Sequence, residues 1–325
     1  MKKHQLLYLS QADVVSVNLG MSEIINLVET AFEEKGHGRV EMPPKPGIHP
    51  GGGDNFIHAM PAYIPALNSA GIKWVGGFPE NAKKGLPYIT GLLILNDPET
   101  GIPLAVMDCE WITAMRTAAA TAVAAKRLAR SGSSTLGVLG CGVQGHTNTE
   151  ALNVPFGIKE VFAYDIIPEV VEKFSQDIEE KLGIKVTPVQ TPQEAVQGLD
   201  LVVTAGPILK KPHKTIKAGW LDEGAFASLV DFDSYWEPAA MKEVDKFCTD
   251  DLKQFEYYKS VGYFQDTPPI HADLGELVAE KKPGRENPNE RTIACNLGLA
   301  IDDMAVAPTL YKHAVEMGIG TWLPL

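Results

Sequence analysis

The sequence predicts an α/β protein of two domains: a doubly wound parallel sheet over residues 132–300, and an α+β domain over 1–131 that residues 301–325 complete. Three observations carry that prediction. From residue 135 onward, short β-rich runs alternate with helical ones, the pattern of parallel strands joined by crossover helices. Before residue 110 the strand-like runs are joined by turn residues, the antiparallel pattern. Between the two regions, Ser131-Gly132-Ser133-Ser134 ends an alanine-rich helix and forms the clearest break in the chain. A chain of 325 residues is long enough for two cores of ordinary size.

In the first domain, Leu6-Leu7-Tyr8-Leu9 reads as a strand and Ser10 as the N-cap of the helix that follows. Residues 42–54 carry too much Pro and Gly for regular structure, and a loop of that kind in a compact domain is often functional. Residues 71–76, 89–96 and 103–107 read as strands. The first two are joined by the turn-rich run 78–87, and Asp97-Pro98-Glu99-Thr100-Gly101 makes a hairpin-like turn into the third. Alanine dominates residues 117–130, predicting a helix whose late Lys and Arg suit the helix dipole. In the second domain, strands are expected at 135–139, 160–164, 185–188, 200–205, 225–230, 246–249 and 291–295. Helices are expected at 143–153, 168–181 and 192–196, with a last one running from about Leu297 to Glu316 and packing back on the first domain.

Composition narrows the function classes. The formal charge is −12, which repels phosphate backbones, and no basic patch offsets it, so nucleic acid is not an expected partner. No apolar run approaches the ~20 residues needed to span a bilayer. The start, Met1-Lys2-Lys3-His4-Gln5, lacks the long apolar core of a secretory signal, so a cytoplasmic location is expected, with no membrane partner. Cys109, Cys141, Cys248 and Cys295 are scattered without metal-ligand spacing and read as buried reduced thiols; no metal is expected.

The most specific motif is Gly140-Cys141-Gly142-Val143-Gln144-Gly145, a GxGxxG between a predicted strand and a predicted helix. Its glycines serve a tight turn, close backbone approach to a pyrophosphate, and close helix–strand packing, and the helix N-terminus offers free N–H groups to phosphate. A second strand ends in Asp165, about twenty residues beyond Gly145, where the acid that binds ribose hydroxyls is expected. A carboxylate there repels a 2′-phosphate, so the expected cofactor is NAD (NADH) in preference to NADP. The domain is thus Rossmann-type. Thr204, Ala205 and Gly206 end its fourth strand and should lie along the cofactor, because ligands sit outside the carboxyl ends of parallel strands. Val230 and Asn296, at the ends of later strands, are counted with them.

In the first domain, Lys73 sits in an apolar strand among Ile72, Trp74 and Val75, where a lysine is costly without an anionic partner. Arg116 is expected at the start of a helix, where the dipole disfavours a cation, so a binding role explains it better than stability does. These stretches, together with Phe78-Pro79-Glu80-Asn81, Gly85-Leu86-Pro87, Asp97 to Leu104, Thr113 to Ala119, the glycine loop and Gly298-Leu299-Ala300-Ile301-Asp302-Asp303, run in order over nearly the whole chain. In them the sequence resembles the ornithine cyclodeaminase/mu-crystallin family.

The resemblance implies an N-terminal substrate and dimerisation domain and a homodimer built on it. It also implies that Lys73 and Arg116 bind a substrate α-carboxylate, Lys73 among the catalytic residues, and that Thr117 contacts the cofactor phosphate. The family's catalytic aspartate falls in Leu229-Val230-Asp231-Phe232-Asp233. A gapless register selects Asp231, beside the nicotinamide, to hold or deprotonate the substrate amine. Asp233 is the competitor, one pleat period away and so expected on the same face. Three positions depart from the cyclodeaminase pattern. Gly47 replaces an arginine, with Lys45 nearby as a possible substitute; His58 replaces a glutamate; and Asp233-Ser234 replaces Pro-Gly. All three are expected to line the substrate pocket. His58 reads either as a structural residue or as a proton-transfer group with a neutral-range pKa. Tyr235 and Trp236 read more readily as loop anchors than as substrate-facing aromatics.

The expected function is therefore hydride transfer at the Cα–N centre of a small amino or imino acid, as an amino acid dehydrogenase or a ketimine/imine reductase. Two alternatives stay open: ornithine cyclodeamination, and a non-catalytic, dinucleotide-bound ligand-binding protein of the mu-crystallin kind.

Overall fold

The computed structural model describes residues 4–325; Met1–Lys3, which open the stretch read as lacking a leader, lie outside the described residues. The chain divides into two compact units, Met1–Arg116 with Leu299–Leu325, and Thr117–Gly298.

Unit 1 is built on a seven-stranded sheet. Its strands are β1 (Gln5–Leu9), β2 (Gly47–Ile48), β3 (Phe56–Ile64), β4 (Ser69–Gly77), β5 (Ile89–Asn96), β6 (Pro103–Asp108) and β14 (Thr321–Pro324), in the order β14-β1-β6-β5-β4-β3-β2. All neighbours pair antiparallel except β1 and β6, which run parallel. The loop expected over 42–54 is irregular apart from β2, two residues that pair with His58 and Ile57. Two α-helices precede β2: α1 (Gln11–Ser16) and α2 (Met21–Gly36). Ser10 and Asp13 close a capping box on α1, the arrangement that makes Ser a preferred first cap.

The alternation of β4 and β5 sorts their side chains. Lys73, Val75, Leu93 and Leu95 face inward and are buried, while Trp74 and Leu92 sit directly opposite one another on the outer face. Helix α9 (Ala300–Met317), rich in small apolar residues, packs on β3 and β4 and against α2. Each large aliphatic side chain fully buried in such a layer contributes about 1.5–3 kcal/mol.

Helix α3 (Glu110–Leu128) begins seven residues before the expected start. Asp108 Oδ1 accepts the Glu110 N–H, and the Thr113 N–H reaches the Cys109 carbonyl, so Trp111 to Arg116 are already helical. Arg116 therefore lies in the second turn of α3, and the argument from an unfavourable dipole at a helix start does not hold. The division between the units falls inside this helix, after Arg116, and not at the glycine break near residue 131.

Unit 2 carries seven parallel strands: β7 (Thr135–Leu139), β8 (Glu160–Tyr164), β9 (Lys185–Pro188), β10 (Leu201–Thr204), β11 (Phe226–Leu229), β12 (Lys246–Thr249) and β13 (Thr292–Cys295). Their order, β12-β13-β11-β10-β7-β8-β9, reverses direction between β7 and β10, the switch point where ligands bind such sheets. Crossover helices α4 (Val143–Phe156) and α5 (Pro168–Leu182) lie where the pattern places them. Residues 192–196 form turns and no helix. Three short helices not read from the sequence, α6 (Pro238–Lys242), α7 (Leu252–Ser260) and α8 (Leu274–Val278), follow β11 and β12. All four cysteines are buried and free. No helix of the described residues is long and apolar enough to cross a membrane.

Candidate active site

The glycine loop has the form that a dinucleotide demands. Gly140 adopts φ 97°, a conformation in which a Cβ would also lie 2.6 Å from the Ala205 carbonyl oxygen. A Cβ on Gly145 would meet the Gly140 carbonyl at 2.5 Å, so α4 sits against the loop only because that position is bare. Gly142 is different. Its backbone is ordinary, and a Cβ there would find nothing within 4 Å. The space above Gly142 is open at the start of α4, which no side chain caps, and Val143 is two-thirds exposed beside it. Uncapped N–H groups facing an open cradle suit a pyrophosphate. Asp165 braces the loop, its Oδ2 accepting the Cys141 N–H at 2.9 Å and its Oδ1 the Ile167 N–H at 3.1 Å. Each carboxylate oxygen has a second lone pair, so ribose hydroxyls still have acceptors there. Gln144 and Thr117 are half-buried, Thr117 being the first residue of unit 2 in α3.

At the carboxyl ends of β10 and β11 stands Asp231, 1 % exposed. Thr204 Oγ1 donates to its Oδ1 at 2.7 Å, and the Gly206 N–H donates to its Oδ2 at 3.0 Å. Trp236 Nε1 donates in turn to Thr204 Oγ1 at 3.3 Å, so the Thr204 hydroxyl is used inside the protein. Burial pushes the Asp231 carboxyl up to about 7 despite these bonds, with a smaller push from Asp233. Ala205 continues the chain from β10, its N–H bonded to the Leu139 carbonyl, and Val230 does the same from β11 towards Thr204. Tyr235 lies over Gly206, where a Cβ would come within 2.6 Å of its ring, and its hydroxyl donates to the Pro207 carbonyl. Trp236 is fully buried. Both aromatics anchor the loop. Asn296 follows β13 and is 4 % exposed, yet neither heteroatom of its amide has a hydrogen-bond partner in the protein. A buried amide in that state fits a ligand's polar edge.

The expectation that Asp233 shares a face with Asp231 fails. Strand β11 ends at Leu229, and Phe232 takes φ 62°, so no pleat connects the two aspartates. Asp231 turns to Thr204 and Gly206, whereas Asp233 lines a cavity with Lys214 and Phe264.

Unit 1 gathers the cations. Lys73, wholly buried, donates to Asp303 Oδ1 at 2.8 Å and to Thr113 Oγ1 at 3.2 Å. Arg116 places Nη1 3.2 Å from Asp302 Oδ2 and Nε 3.1 Å from Asp303 Oδ1. Burial and the neighbouring guanidinium lower the Lys73 pKa, while Asp303 opposes the shift. The anionic partner that a lysine in an apolar strand requires is thus Asp303, contributed by α9. In the sequence alone Asp302 and Asp303 carry no role beyond their place in a run of the family pattern. Asp303 lies 230 residues from Lys73 and Asp302 186 from Arg116, which hides both pairings from any local reading.

Lys45 and His58 belong to the same surroundings. Lys45 is 7 % exposed just before β2, and its charge and that of Lys73 both act on His58. The imidazole stacks on Phe56 with centroids 4.3 Å apart and occupies the space over Gly47, where a Cβ would fall 2.3 Å from Cδ2. Burial, Lys45 and His49 push the His58 pKa down to about 3. The expected neutral-range titration is absent: His58 stays uncharged at physiological pH. Gly47→Ala is expected to destabilise the chain through this clash, and Gly47→Ala/His58→Ala to recover most of the loss in a thermal melt; an unchanged melting temperature in the single variant would contradict the packing described. Among the described residues no group of three His, Cys, Asp or Glu is placed to hold a metal ion.

A parallel-sheet unit with this glycine loop, joined to an α+β unit carrying buried cations, defines a two-unit dinucleotide-binding protein. The chain belongs to the ornithine cyclodeaminase/mu-crystallin family, whose model matches residues 6–318. It is 39 % identical over 325 residues to an alanine dehydrogenase of Archaeoglobus fulgidus, with 98 % of each chain covered. Its structure is similar to that of a Thermococcus litoralis Δ1-pyrroline-2-carboxylate reductase in complex with NADH and L-proline, with a TM-score of 0.88, 35 % identity, and 97 % and 99 % of the two chains covered. It is equally similar to an archaeal alanine dehydrogenase dimer with bound NAD, with a TM-score of 0.88, 37 % identity, and 99 % and 100 % covered.

Proposed function

We propose that this chain is an NAD(H)-dependent oxidoreductase that moves a hydride between the nicotinamide and the Cα–N centre of a small amino or imino acid. The observation that carries the reading is Asp231, a buried carboxylate with a pKa near 7 at the strand ends next to the dinucleotide loop. Oxidation of alanine and reduction of a cyclic imino acid, the activities of the two similar proteins, share that centre.

The residues take separate roles. The bound nicotinamide supplies the hydride acceptor or donor at its C4. Gly140 to Gly145 hold the pyrophosphate by backbone N–H groups and the helix N-terminus. Asp165 takes the ribose hydroxyls, and Asn296 satisfies its amide on the cofactor's polar edge. Lys73 and Arg116 bind the substrate α-carboxylate, with Asp302 and Asp303 fixing their geometry and Lys45 adding a third positive charge. Asp231 removes a proton from the substrate nitrogen in oxidation and returns it in reduction. An uncharged His58 in place of an acidic group offers a terminal ammonium no negative charge, which favours a dehydrogenase or imine reductase over ornithine cyclodeamination. Turnover of NADH with 2-oxo acids plus ammonia or with cyclic imines is the expected result. Loss of NADH with none of them, or release of ammonia from ornithine under NAD, would replace this reading by one of its rivals.

NAD is the preferred cofactor on the same reading, because the Asp165 carboxylate meets the ribose and no basic side chain follows it in Asp165-Ile166-Ile167. Asp165→Ala is expected to narrow the ratio of NADPH to NADH dissociation constants by about tenfold, a change of ~1.4 kcal/mol. An unchanged ratio would remove Asp165 from the ribose site.

The outer face of the unit 1 sheet is the surface for a second copy of the chain. Trp74, Leu92, Tyr8 and Leu323 lie on that face and are each 39–48 % exposed, with half-buried Ile72, Ile94 and Val106 between them. A continuous apolar sheet face of this kind is rare on a monomer.

A further inference from the structure

Unit 2 holds a cavity of about 230 Å³ that the reaction proposed above does not use. We propose that it is a second ligand site, for an acidic amino acid whose ammonium group meets Asp233 and whose two carboxylates meet Lys210 and Lys211. The inference stands on unit 2 alone and does not depend on the reaction.

Asp233 lines the cavity and is 5 % exposed, and its Oδ1 has no hydrogen-bond partner in the protein. An unpaired buried acceptor on a residue of the cavity wall calls for an N–H donor. Burial raises the Asp233 pKa and Asp266 adds to the shift, while backbone N–H groups and the Lys214 charge oppose it; a cationic donor placed beside the carboxylate would favour its ionised form.

The backbone around this carboxylate is held in an unusual state. Phe232 and Phe264 adopt φ 62° and φ 55°, in the left-handed region that bulky side chains avoid, and their rings pack at 5.0 Å. Such residues persist only where the surroundings over-determine them, and they cluster at ligand sites. Here Phe232 directly precedes Asp233, and the Phe264 N–H faces its carboxyl.

The other walls select the rest of the ligand. Lys210, Lys211 and Lys214 approach from the 207–214 loop, and Lys214 is 3.4 Å from Asp266. Among the described residues no ion pair is recorded for Lys210 or Lys211. A simple anion would meet Asp233, and a simple cation would meet three lysines. One ammonium group and two carboxylates satisfy both ends. The volume lies below the ~300–1,000 Å³ of drug-sized pockets and suits a molecule of amino-acid size.

The test is calorimetric titration of the full chain with L-glutamate, with glutarate as the probe lacking the ammonium group. One site per chain is expected, at least tenfold weaker for glutarate, and at least tenfold weaker for L-glutamate in Asp233→Asn and in Lys210→Met/Lys211→Met. The lysine pair is exposed, so its variant keeps the fold, which a thermal melt confirms. Arg116→Lys is expected to leave this binding unchanged. Glutarate binding as tightly as L-glutamate, no measurable L-glutamate binding, or binding that Arg116→Lys abolishes while the Asp233 and lysine variants retain it would overturn the proposal. Turnover of NADH by the wild-type chain reports separately on the reaction, so failure of one reading leaves the other measurable.

Discussion

Asp231→Asn is expected to lower kcat by about 10²–10⁴-fold, the usual contribution of a positioned acid–base group. NADH binding should change less than kcat, because the asparagine Oδ1 still accepts from Thr204 and only the bond from the Gly206 N–H is lost. The wild-type pH profile should carry the same group. Oxidation needs the unprotonated carboxylate, so kcat/KM for the amino acid rises with pH through about 7. Reduction needs the proton, so its rate falls over the same interval. The asparagine variant should lose that limb in both directions. Stability gives an independent sign. Burial raises the folded-state pKa above the unfolded value, so Asp231's contribution to stability is full below ~4 and is lost as pH rises through about 7. Asp231→Asn should therefore be more stable relative to wild type at pH 8 than at pH 5. Equal relative stability at both, with an unaltered rate profile, would show that Asp231 does not titrate in this range.

Lys73→Met has the second large effect, in two readouts. Removing one member of a buried ion pair typically costs ~3–5 kcal/mol because the other charge is left behind. Arg116 Nε, 3.1 Å from the same Asp303 oxygen, keeps part of the neutralisation, so the lower end is expected. Lys73→Met/Asp303→Leu should restore part of the melting temperature, since apolar replacement of a buried pair is often neutral and Arg116 keeps Asp302. Activity should not return in the double variant. That split separates a structural ion pair from a pair that also serves substrate: recovery of both stability and turnover would make Lys73 merely structural.

The legible parts of this molecule are those written over short distances. The GxGxxG loop, its flanking strand and helix, and Asp165 lie within 30 residues, and the geometry at Gly140 and Gly145 follows from the absence of a Cβ. The strands of unit 2 and β1, β4, β5 and β6 of unit 1 are readable from alternation or apolar runs; β2 and β14, two and four residues long at the sheet edges, are not. The start of α3 was not, because Trp111, Ile112 and Thr113 have weak helix propensity and tertiary burial overrides it. Residues 192–196 carried helical spacing over too short a span to pay for nucleation, and turns took their place. The pleat argument for Asp233 assumed that a strand continued where Phe232 turns it. The carboxylates that neutralise Lys73 and Arg116 come from the far end of the chain, and only the fold brings them near. The low pKa of His58 depends likewise on neighbours assembled from two separate segments, the loop of Lys45 and His49 and the strand of Lys73.

The central claim is hydride transfer at a Cα–N centre, and isotope tracing tests it most directly. Wild-type chain is supplied with NADH carrying deuterium at C4 in each stereochemical position, together with Δ1-pyrroline-2-carboxylate or with pyruvate and ammonia, and the amino acid product is analysed by mass spectrometry and NMR. The account predicts one deuterium at Cα of the product from one of the two labelled cofactors, and none in Asp231→Asn over the same time. Bound but unconsumed NADH with every substrate, or product whose Cα hydrogen comes from water, would contradict it.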